Sequence, residues 1–387
     1  MYKIRTYNAI SVQGLDRFSR ETYEVASELP HPDAFLIRSQ KLHEIEFPDS
    51  LKAIGRAGAG VNNVPLERCN QQGIVVFNAP GANANAVKEL VLAGMLLGAR
   101  DIYQGMRFVD DLAPQDGLDP LLEKEKKRFA GSELYGKTLG VVGLGNIGSL
   151  VANLGLALGM KVIGYDPAIS VEAAWRLSSD VEKMDNLNSL FGRADYISLH
   201  LPALEVTRGL VNDTLLNGVK PTTVLLNFAR GEIVDRAAVT RALDENRLHR
   251  YISDFPANDT LRHPKMLQMP HIGASTGEAE DNCAIMVADQ LIAFLEHGNI
   301  RNSVNFPQIE LARTTPVRLT ITNRNVPKVL NQITAIIAEH DINIVDMLNK
   351  SRDDIAYNII DLAECPCDSS LNALRAIDEV INLRLIN

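Results

Sequence analysis

The stretch Lys137-Thr-Leu-Gly-Val-Val-Gly-Leu-Gly-Asn-Ile-Gly148 decides the fold of this chain. Its apolar beginning is typical of a short buried strand, the glycines that follow have the spacing G-x-G-x-x-G, and apolar residues at helical spacing come next. A second apolar run then ends at Asp166, roughly 20 residues beyond the last glycine. Glycines alone are a weak signal, but strand, glycines, helix, strand and acid in this order predict a dinucleotide-binding βαβ unit.

Each glycine has a physical role in such a unit. Gly143 permits the tight turn after the strand, and Gly145 lets the backbone approach a pyrophosphate. Gly148 lets the helix pack closely on the strand, so that free N–H groups at the helix start face the anion. The alternative is a glycine-rich strand-to-helix turn in an α/β protein that binds nothing.

The composition restricts the classes of function. The 387 residues are enough for two or three domains, and 46% hydrophobic with 22% charged residues is ordinary for a water-soluble protein. A net charge of −9 argues against broad nucleic-acid binding and against a basic membrane-binding surface. Four cysteines, with no signal peptide and no membrane-spanning run, favour a reduced, cytoplasmic protein. We expect no metal site, because the close pair Cys365 and Cys367 has no further ligands nearby.

The order of the predicted elements indicates three domains. Residues 1–92 alternate short strands and helices, and residues 137–274 form a second such unit around the glycine motif. One long helix is predicted from Ala84 to Asp110. Beyond Pro307 the pattern becomes βαββαβ. The prediction is an α/β protein with two Rossmann-like, doubly wound parallel-sheet domains and a small C-terminal ferredoxin-like domain.

Polar side chains follow the predicted strands of the central unit, where doubly wound sheets bind their ligands. Arg230 could hold a carboxylate through its planar guanidinium, and His271 could exchange a proton with a hydroxyl or carbonyl. Asp254 and Asp259 also follow strands, and a carboxylate beside His271 would stabilise its imidazolium. With a nicotinamide, these groups would make a hydride-transfer site. Taken singly, each could instead be a structural ion pair or a loop histidine.

The acid at the end of the second strand predicts the choice of cofactor. Asp166 would accept hydrogen bonds from the ribose hydroxyls of the adenosine, and its charge would repel a 2′-phosphate. Pro167-Ala168 offers no arginine that could bind such a phosphate. NAD is therefore predicted over NADP.

Several motifs together resemble the D-isomer-specific 2-hydroxyacid dehydrogenases over residues 1 to about 306, and the chain from about 315 resembles an ACT domain. The motifs that carry the resemblance are Ile37-Arg-Ser39, Gly55-Arg-Ala-Gly58, Phe129-Ala-Gly-Ser-Glu-Leu134, the glycine motif, Asn227-Phe-Ala-Arg-Gly231 and Pro270-His-Ile-Gly-Ala-Ser-Thr276, with Asn325-Val-Pro327 and Ile342-Asn-Ile344 in the tail. The resemblance implies a discontinuous substrate-binding domain of residues 1–93 and 276–306, an NAD-binding Rossmann domain of residues 94–275, and an ACT regulatory domain of residues 315–387. It also implies a cleft that closes on the substrate.

The resemblance assigns roles to individual residues. It makes Arg230 the residue that orients the substrate and His271 the acid/base. Asp259 stands where the family has Glu and is one methylene shorter, so it would reach His271 only through a closer loop or a water. The implied cofactor contacts are Gly143, Gly145, Asn146, Ile147, Gly148, Asp166, Leu201, Ala229, Asp254, Gly273 and Ala274. The implied substrate contacts are Arg38, Arg56, Ala59, Gly60, Lys126, Lys127 and Arg128.

Within the family, the resemblance implies NAD-dependent oxidation of D-3-phosphoglycerate to 3-phosphohydroxypyruvate, the first step of phosphorylated L-serine biosynthesis. Arg38, Arg56 and the run Lys126–Arg128 favour a phosphorylated substrate. One alternative is a relative that acts on hydroxypyruvate or glyoxylate. Another is a non-catalytic, NAD-sensing interaction protein built on the same fold, although the presence of both Arg230 and His271 argues against it.

The ACT-like tail implies regulation or assembly. Asn325 and Asn343 are the matched residues that would hold an amino acid, with L-serine as the candidate, where the sheet edge pairs with a second copy. Asn323 and Lys328 depart from the serine-sensing pattern. Serine inhibition and a purely structural, dimer-forming tail therefore both stay open, and a homodimer or homotetramer is expected.

Overall fold

The computed structural model describes residues 1–114 and 116–387, which divide into two compact units: residues 1–83 with 277–387, and residues 84–276. Residues 1–83 contain β1 (Tyr2–Thr6), α1 (Val12–Leu15), β2 (Tyr23–Ala26), β3 (Ala34–Ile37), β4 (Ala53–Arg56), α2 (Leu66–Gln71) and β5 (Val75–Phe77). Residues 84–276 contain α3 (Ala84–Ala99), α4 (Ile102–Asp110), α5 (Leu118–Glu125), β6 (Thr138–Val142), α6 (Gly148–Ala157), β7 (Lys161–Tyr165), α7 (Val171–Arg176), β8 (Glu182–Lys183), α8 (Leu187–Arg193), β9 (Tyr196–Leu199), α9 (Asp213–Leu216), β10 (Val224–Asn227), α10 (Arg236–Asp244), β11 (Arg250–Ser253) and β12 (Met266–Gln268). Residues 277–387 contain α11 (Gly277–His297), β13 (Val317–Arg324), α12 (Val329–Glu339), β14 (Ile344–Arg352), β15 (Ile355–Leu362), α13 (Asp368–Arg375) and β16 (Val380–Ile386).

The unit of residues 84–276 is built on a seven-stranded parallel sheet with the order β12-β11-β10-β9-β6-β7-β8. Every residue of β9 and β10 is buried, because helices cover both faces of the sheet. The strand order reverses between β6 and β9, so the carboxyl ends of these two strands form the switch point where such sheets bind ligands.

The other unit contains a five-stranded parallel sheet with the order β2-β1-β3-β4-β5. The long helix α11 packs on this sheet at Gly55, where a Cβ would overlap with the side chains of Val287 and Leu291. Two parallel α/β sheets are therefore present, as the sequence predicts.

The tail forms a four-stranded antiparallel sheet with the order β14-β15-β13-β16. Its elements follow the predicted order βαββαβ, and α12 and α13 cover one face over a core that includes Leu319, Ile321, Ile333, Ile360 and Leu374. A separate antiparallel sheet in the C-terminal part is thus confirmed.

The second face of the tail sheet is also buried, against the C-terminal end of α11. The hydroxyl of Tyr357 donates to the carbonyl oxygen of Gly298 at 2.9 Å, and the guanidinium of Arg384 lies 4.4 Å from the ring centre of Phe294. Beside the edge strand β16, a Cβ at Gly73 would stand 3.0 Å from the side chain of Ile381. The tail consequently belongs to the same compact unit as residues 1–83.

One predicted helix is wrong in the structure, because the run from Ala84 to Asp110 breaks between α3 and α4. Asp101 leaves the helix and pairs with the guanidinium of Arg250. The backbone N–H of Ser132 donates to the carbonyl oxygen of Ala99 at 2.8 Å. The break is thus held by partners that are distant in sequence.

None of the helices in the described part of the chain is long and apolar enough to cross a membrane.

Candidate active site

The glycine-rich turn lies at the switch point, and two of its three glycines are required by steric contacts within the protein. Gly143 has a φ of +88°, and a Cβ there would overlap with the carbonyl oxygen of His200. A Cβ at Gly148 would overlap with the carbonyl oxygen of Gly143, so α6 can begin against this turn only with glycine. A Cβ at Gly145 would meet nothing within 4 Å, which leaves the turn open to a ligand. This is the geometry that a pyrophosphate needs.

The acid at the end of β7 braces this turn. Asp166 accepts the backbone N–H of Leu144 at 2.8 Å through one oxygen and that of Ala168 at 2.9 Å through the other. Each oxygen keeps a lone pair that a ribose hydroxyl could use. Beside the turn, the guanidinium of Arg176 donates to the side-chain oxygen of Asn146 at 2.7 Å.

Arg230 lies in the loop that follows β10. The buried amide of Asn227 fixes this loop, because it donates to the carbonyl oxygen of Arg230 at 2.9 Å and accepts the N–H of Ala229 at 3.2 Å. One guanidinium nitrogen of Arg230 donates to the carbonyl oxygen of Ala229 at 2.7 Å. Arg230 makes no ion pair with any described residue, so its other N–H groups can receive an anion.

His271 lies in the turn after β12. The buried carboxylate of Asp254 accepts the backbone N–H of Ile272 at 2.8 Å and that of Gly273 at 2.7 Å. His271 is exposed, has a φ of +58°, and packs against the ring of Phe255 with 4.9 Å between ring centres. A left-handed backbone at a residue other than glycine costs about 1–3 kcal/mol and is typical of functional sites.

Asp259 lies elsewhere in the same unit. Its exposed carboxylate contacts Nε of Arg236 at 3.2 Å. No hydrogen bond joins Asp259 to His271 among the residues that the structure describes. The partnership of these two side chains stays a prediction.

Two further cofactor residues of the prediction flank these turns. The side chain of Leu201 packs beside Gly143, where an added Cβ would stand 2.9 Å from Leu201 Cδ2. Ala274 directly follows Gly273, whose N–H is bound by Asp254. Both therefore lie on loops at the carboxyl edge of the sheet.

The predicted substrate arginines of the other unit lie at the ends of neighbouring strands. Arg56 ends β4 and pairs in register with Ile37, the last residue of β3, so Arg38 follows at the same edge of the sheet. Arg56 folds over Gly58, where a Cβ would overlap with its guanidinium. Arg38 forms an ion pair with Glu280 at 2.5 Å.

The loop that follows Arg56 is held by backbone contacts. The side-chain amide of Asn78 donates to the carbonyl oxygen of Ala59 at 2.6 Å, and the N–H of Ala79 donates to that of Gly58 at 3.0 Å. Ala59 and Gly60 thus lie on a braced loop directly beyond the arginine.

Most of the predicted basic run is already paired within its own segment. Lys126 contacts Glu123 at 2.5 Å, and Arg128 contacts Glu125 at 2.6 Å. Lys127 is the member of the run that makes no ion pair in the described part of the chain. The structure therefore offers fewer available cations here than the sequence suggested.

The two predicted effector residues of the tail lie at opposite ends of β15. The side chain of Asn325 donates to the carbonyl oxygen of Asp353 at 3.0 Å, beside the first residue of that strand. The carbonyl oxygen of Asn343 accepts the N–H of Ala363 at 3.0 Å, just beyond its last residue. One copy of the tail does not bring them together. Between them in sequence, Lys328 has a φ of +79° at the start of α12.

Two residues near the glycine turn carry no sequence motif. His200 is partly buried, its Nε2 lies 2.8 Å from the hydroxyl of Ser198, and burial lowers the pKa of His200 to about 3, so the ring is neutral. Arg176 reaches Asn146 from α7. For His200, the only signal in the sequence is its position directly after a predicted strand.

The described chain holds no group of three or more His, Cys, Asp or Glu residues suited to a metal.

Comparisons with known proteins extend these observations. The sequence model described as the NAD binding domain of D-isomer specific 2-hydroxyacid dehydrogenases matches residues 92–274. The chain is 35% identical over 337 residues to the D-3-phosphoglycerate dehydrogenase of Methanocaldococcus jannaschii, over 84% of this chain and 61% of that protein. It therefore spans about three fifths of that relative's length.

Two further similarities cover more of the compared protein. The D-3-phosphoglycerate dehydrogenase of Haemophilus influenzae is 32% identical over 355 residues, which are 88% of this chain and 83% of that protein. The crystal structure of NAD+-bound 3-phosphoglycerate dehydrogenase of Entamoeba histolytica matches 80% of this chain and 99% of that one, with a TM-score of 0.62 and 28% identity. On this extent of similarity, together with the glycine turn and the loops of Arg230 and His271, the chain belongs to the family of D-isomer-specific 2-hydroxyacid dehydrogenases and carries its NAD-binding domain.

Proposed function

We propose that this protein oxidises D-3-phosphoglycerate to 3-phosphohydroxypyruvate with NAD, the first step of phosphorylated L-serine biosynthesis. The observation that carries the proposal is the pair Arg230 and His271 at the carboxyl edge of the sheet that also holds the glycine-rich turn. An unpaired guanidinium and an exposed imidazole are the groups that a 2-hydroxy acid requires. The names of the relatives from Methanocaldococcus and Haemophilus support the choice of substrate.

The residues at the switch point fit NAD. Gly145 leaves the start of α6 open to a pyrophosphate, and Asp166 keeps lone pairs for ribose hydroxyls while opposing a 2′-phosphate. When bound, NAD supplies the hydride acceptor. We propose the cofactor contacts that the sequence predicts, from Asn146 and Ile147 in the turn to Ala229 and Asp254 after later strands.

The protein's own groups would perform the remaining steps. Arg230 would hold the substrate carboxylate through two parallel N–H bonds and so orient the carbon that bears the hydroxyl. His271 would take the hydroxyl proton as the hydride leaves that carbon, and its imidazolium would then release the proton to solvent. Asp254 would keep the backbone beside His271 in place.

We propose that Arg38 and Arg56 bind the phosphate of the substrate. Both follow neighbouring strands at one edge of their sheet, and a dianion needs more than one cation. Arg38 would exchange the carboxylate of Glu280 for the phosphate. Of the basic run, Lys127 is the best remaining candidate, since Lys126 and Arg128 have carboxylate partners.

The proposed domains are residues 1–93 with 276–306 for the substrate, 94–275 for NAD, and 315–387 as an ACT domain. The βαββαβ order and the strand order of the tail support the last of these. Asn325 and Asn343 would form one L-serine site only if two copies contribute one residue each, so a serine site would require a homodimer or homotetramer. The alternative to a regulatory tail is a tail whose only role is to join copies of the chain.

Turnover measurements test the enzymatic proposal. The purified chain is assayed with NAD and D-3-phosphoglycerate, and in the reverse direction with hydroxypyruvate and glyoxylate. The highest kcat/KM is expected for D-3-phosphoglycerate. Faster reduction of glyoxylate or hydroxypyruvate would overturn the proposed identity of the substrate. NAD binding without any turnover would favour the alternative of an NAD-sensing interaction protein.

The role of the tail needs a separate experiment. Activity is measured against L-serine concentration, and the mass of the assembly is measured for the whole chain and for a chain ending near Pro307. Inhibition that Asn325→Ala abolishes would support a serine site. An absent serine effect with a smaller assembly on truncation would support the structural role.

A further inference from the structure

A cavity of the unit 84–276 lies at the edge of the sheet opposite to the glycine-rich turn. It has a volume of about 280 Å³ and opens at the amino ends of β6, β9, β10 and β11. The break between α3 and α4 and the segment 130–132 form its other walls. We name it the amino-edge cavity; its titratable lining residues are Arg100, Asp101, Lys137, Asp195, Tyr196, His249 and Arg250.

The charges that line the amino-edge cavity do not balance. Asp101 is paired with Arg250, and Asp195 is paired with Lys220 at 2.8 Å. Arg100 and Lys137 form no ion pair within residues 1–114 and 116–387. Two cations without a direct partner therefore face a cavity whose two carboxylates are already engaged, and the surplus charge attracts an anion.

The guanidinium of Arg250 is held by groups of the protein itself. One of its terminal nitrogens donates to the carbonyl oxygen of Leu97 at 3.2 Å, and the other is bound by Asp101. Its Nε is buried and has no hydrogen-bond partner among the described residues. Arg250 therefore contributes positive charge beside the cavity but offers no free hydrogen-bond donor that a ligand could reach.

We propose that the amino-edge cavity binds inorganic phosphate or a short phosphomonoester through Arg100 and Lys137. A phosphate group presents several strong acceptors to these two cations. The cavity is larger than a single phosphate ion, which leaves room for a short carbon body. None of these residues belongs to the proposed cofactor or substrate machinery.

His249 is a local reporter of this site, because it lines the same cavity. Burial and the nearby Arg250 lower the pKa of His249, Lys265 lowers it further, and Asp101 opposes them. A bound dianion would add negative charge beside the ring and raise that pKa. The measurement is an NMR titration of the histidine ring signals in sodium phosphate and in sodium chloride of equal ionic strength, with His249→Gln to assign the signal.

The expected result is a higher pKa of His249 in phosphate than in chloride, with sn-glycerol 3-phosphate giving the same shift and sulfate a smaller one. In the double variant Arg100→Met/Lys137→Met, the phosphate concentration for half the shift should rise about 100-fold or more, since two charge-assisted contacts are lost. Lys183→Met, which removes an exposed lysine on β8, should leave the titration unchanged.

The Arg230→Met variant separates this inference from the proposed enzymatic function. Phosphate should still raise the pKa of His249 in that variant, whether or not it turns over. The proposal is overturned if His249 titrates identically in phosphate and chloride, if the Arg100→Met/Lys137→Met variant responds like the parent, or if Arg230→Met abolishes the shift. Unchanged backbone NMR spectra outside the cavity would show that the double variant is folded.

Discussion

Asp254 holds Gly273 in place: its Oδ2 accepts the backbone N–H of Gly273 at 2.7 Å, while its Oδ1 accepts that of Ile272 at 2.8 Å. These peptide groups directly follow His271, whose φ is +58°. A buried carboxylate thus sets the backbone that positions an imidazole, although the sequence motif suggests only a cofactor contact for Asp254. Both roles can coexist, because each carboxylate oxygen has two lone pairs.

Asp254→Asn should lower kcat by roughly 10²-fold. The amide has one acceptor oxygen and presents N–H groups to a backbone N–H, so the turn shifts, and a misplacement of about 1 Å has an effect of this size. Steady-state kinetics with D-3-phosphoglycerate check it. Asp244→Asn, at an exposed carboxylate beside His263, is the matched control and should keep the parent's kcat. An unchanged kcat in folded Asp254→Asn would contradict the positioning role.

His271→Asn should lower kcat roughly 10²–10⁴-fold, because it removes the group that we propose takes the hydroxyl proton. NAD affinity, measured by calorimetry, should stay within a few-fold of the parent. His263→Asn serves as control. Asp259→Asn is the companion variant: if its pH–rate profile matches that of the parent, Asp259 does not partner His271, in agreement with its contact to Arg236.

Asp166→Ala should weaken the binding of NAD and reduce the preference of the enzyme for NAD over NADP. The change removes the charge that opposes a 2′-phosphate and also the acceptor for the N–H of Leu144. The ratio of kcat/KM for the two cofactors is the measurement. Equal use of NAD and NADP by the parent would remove the basis of this prediction.

Arg38→Met should raise KM for D-3-phosphoglycerate about tenfold or more, since one charge-assisted contact is lost. For D-2-hydroxy acids without phosphate the change should be small. Arg17→Met is the matched control, because Arg17 also pairs with a carboxylate of α11, Asp289, at 2.7 Å. Equal losses with both kinds of substrate would show that Arg38 does not bind the phosphate.

Asp361→Asn should lower the free energy of unfolding by about 3–5 kcal/mol, because it leaves Arg318 as a buried, unpaired charge. Burial raises the pKa of Asp361, but hydrogen bonds from Arg318 and Thr314 outweigh it and hold that pKa below the usual 3.8. The stabilisation by this carboxylate is therefore complete above about pH 4 and is lost as the pH falls through the lower folded pKa. Urea unfolding between pH 7 and 3 should show the difference between parent and variant shrinking below pH 4, and a constant difference would refute this linkage.

The sequence predicted those features that depend on local sterics. Gly143 and Gly148 are required by atoms within the same turn or at the adjacent strand end, so their spacing alone identifies the site. The break at Asp101 depends on Arg250, 149 residues away, and no local pattern encodes that partner. The sequence analysis did not predict the short edge strand Met266–Gln268, because three residues are too few to show an apolar periodicity.

The available charges at the candidate site were harder to predict than the residue types. Lys126 and Arg128 are correct as cations, but Glu123 and Glu125 one helical turn earlier already engage them. Asp259 likewise has a carboxylate of the expected kind, with Arg236 as its partner. Sequence identifies ionisable groups, whereas their competition for partners depends on the folded geometry.

The burial of both faces of the tail sheet limits how copies of this chain can join through the tail. Along β13 and β15 no face is left for stacking one sheet on another, and Gly73 packs against one edge strand, β16. The other edge strand, β14, is mostly exposed. A contact through β14 would match the strand with itself about a two-fold axis and would be complete with a single partner. A tail joined in this way would close pairs and would not build fibres, so an assembly of four copies would need a second, unrelated interface.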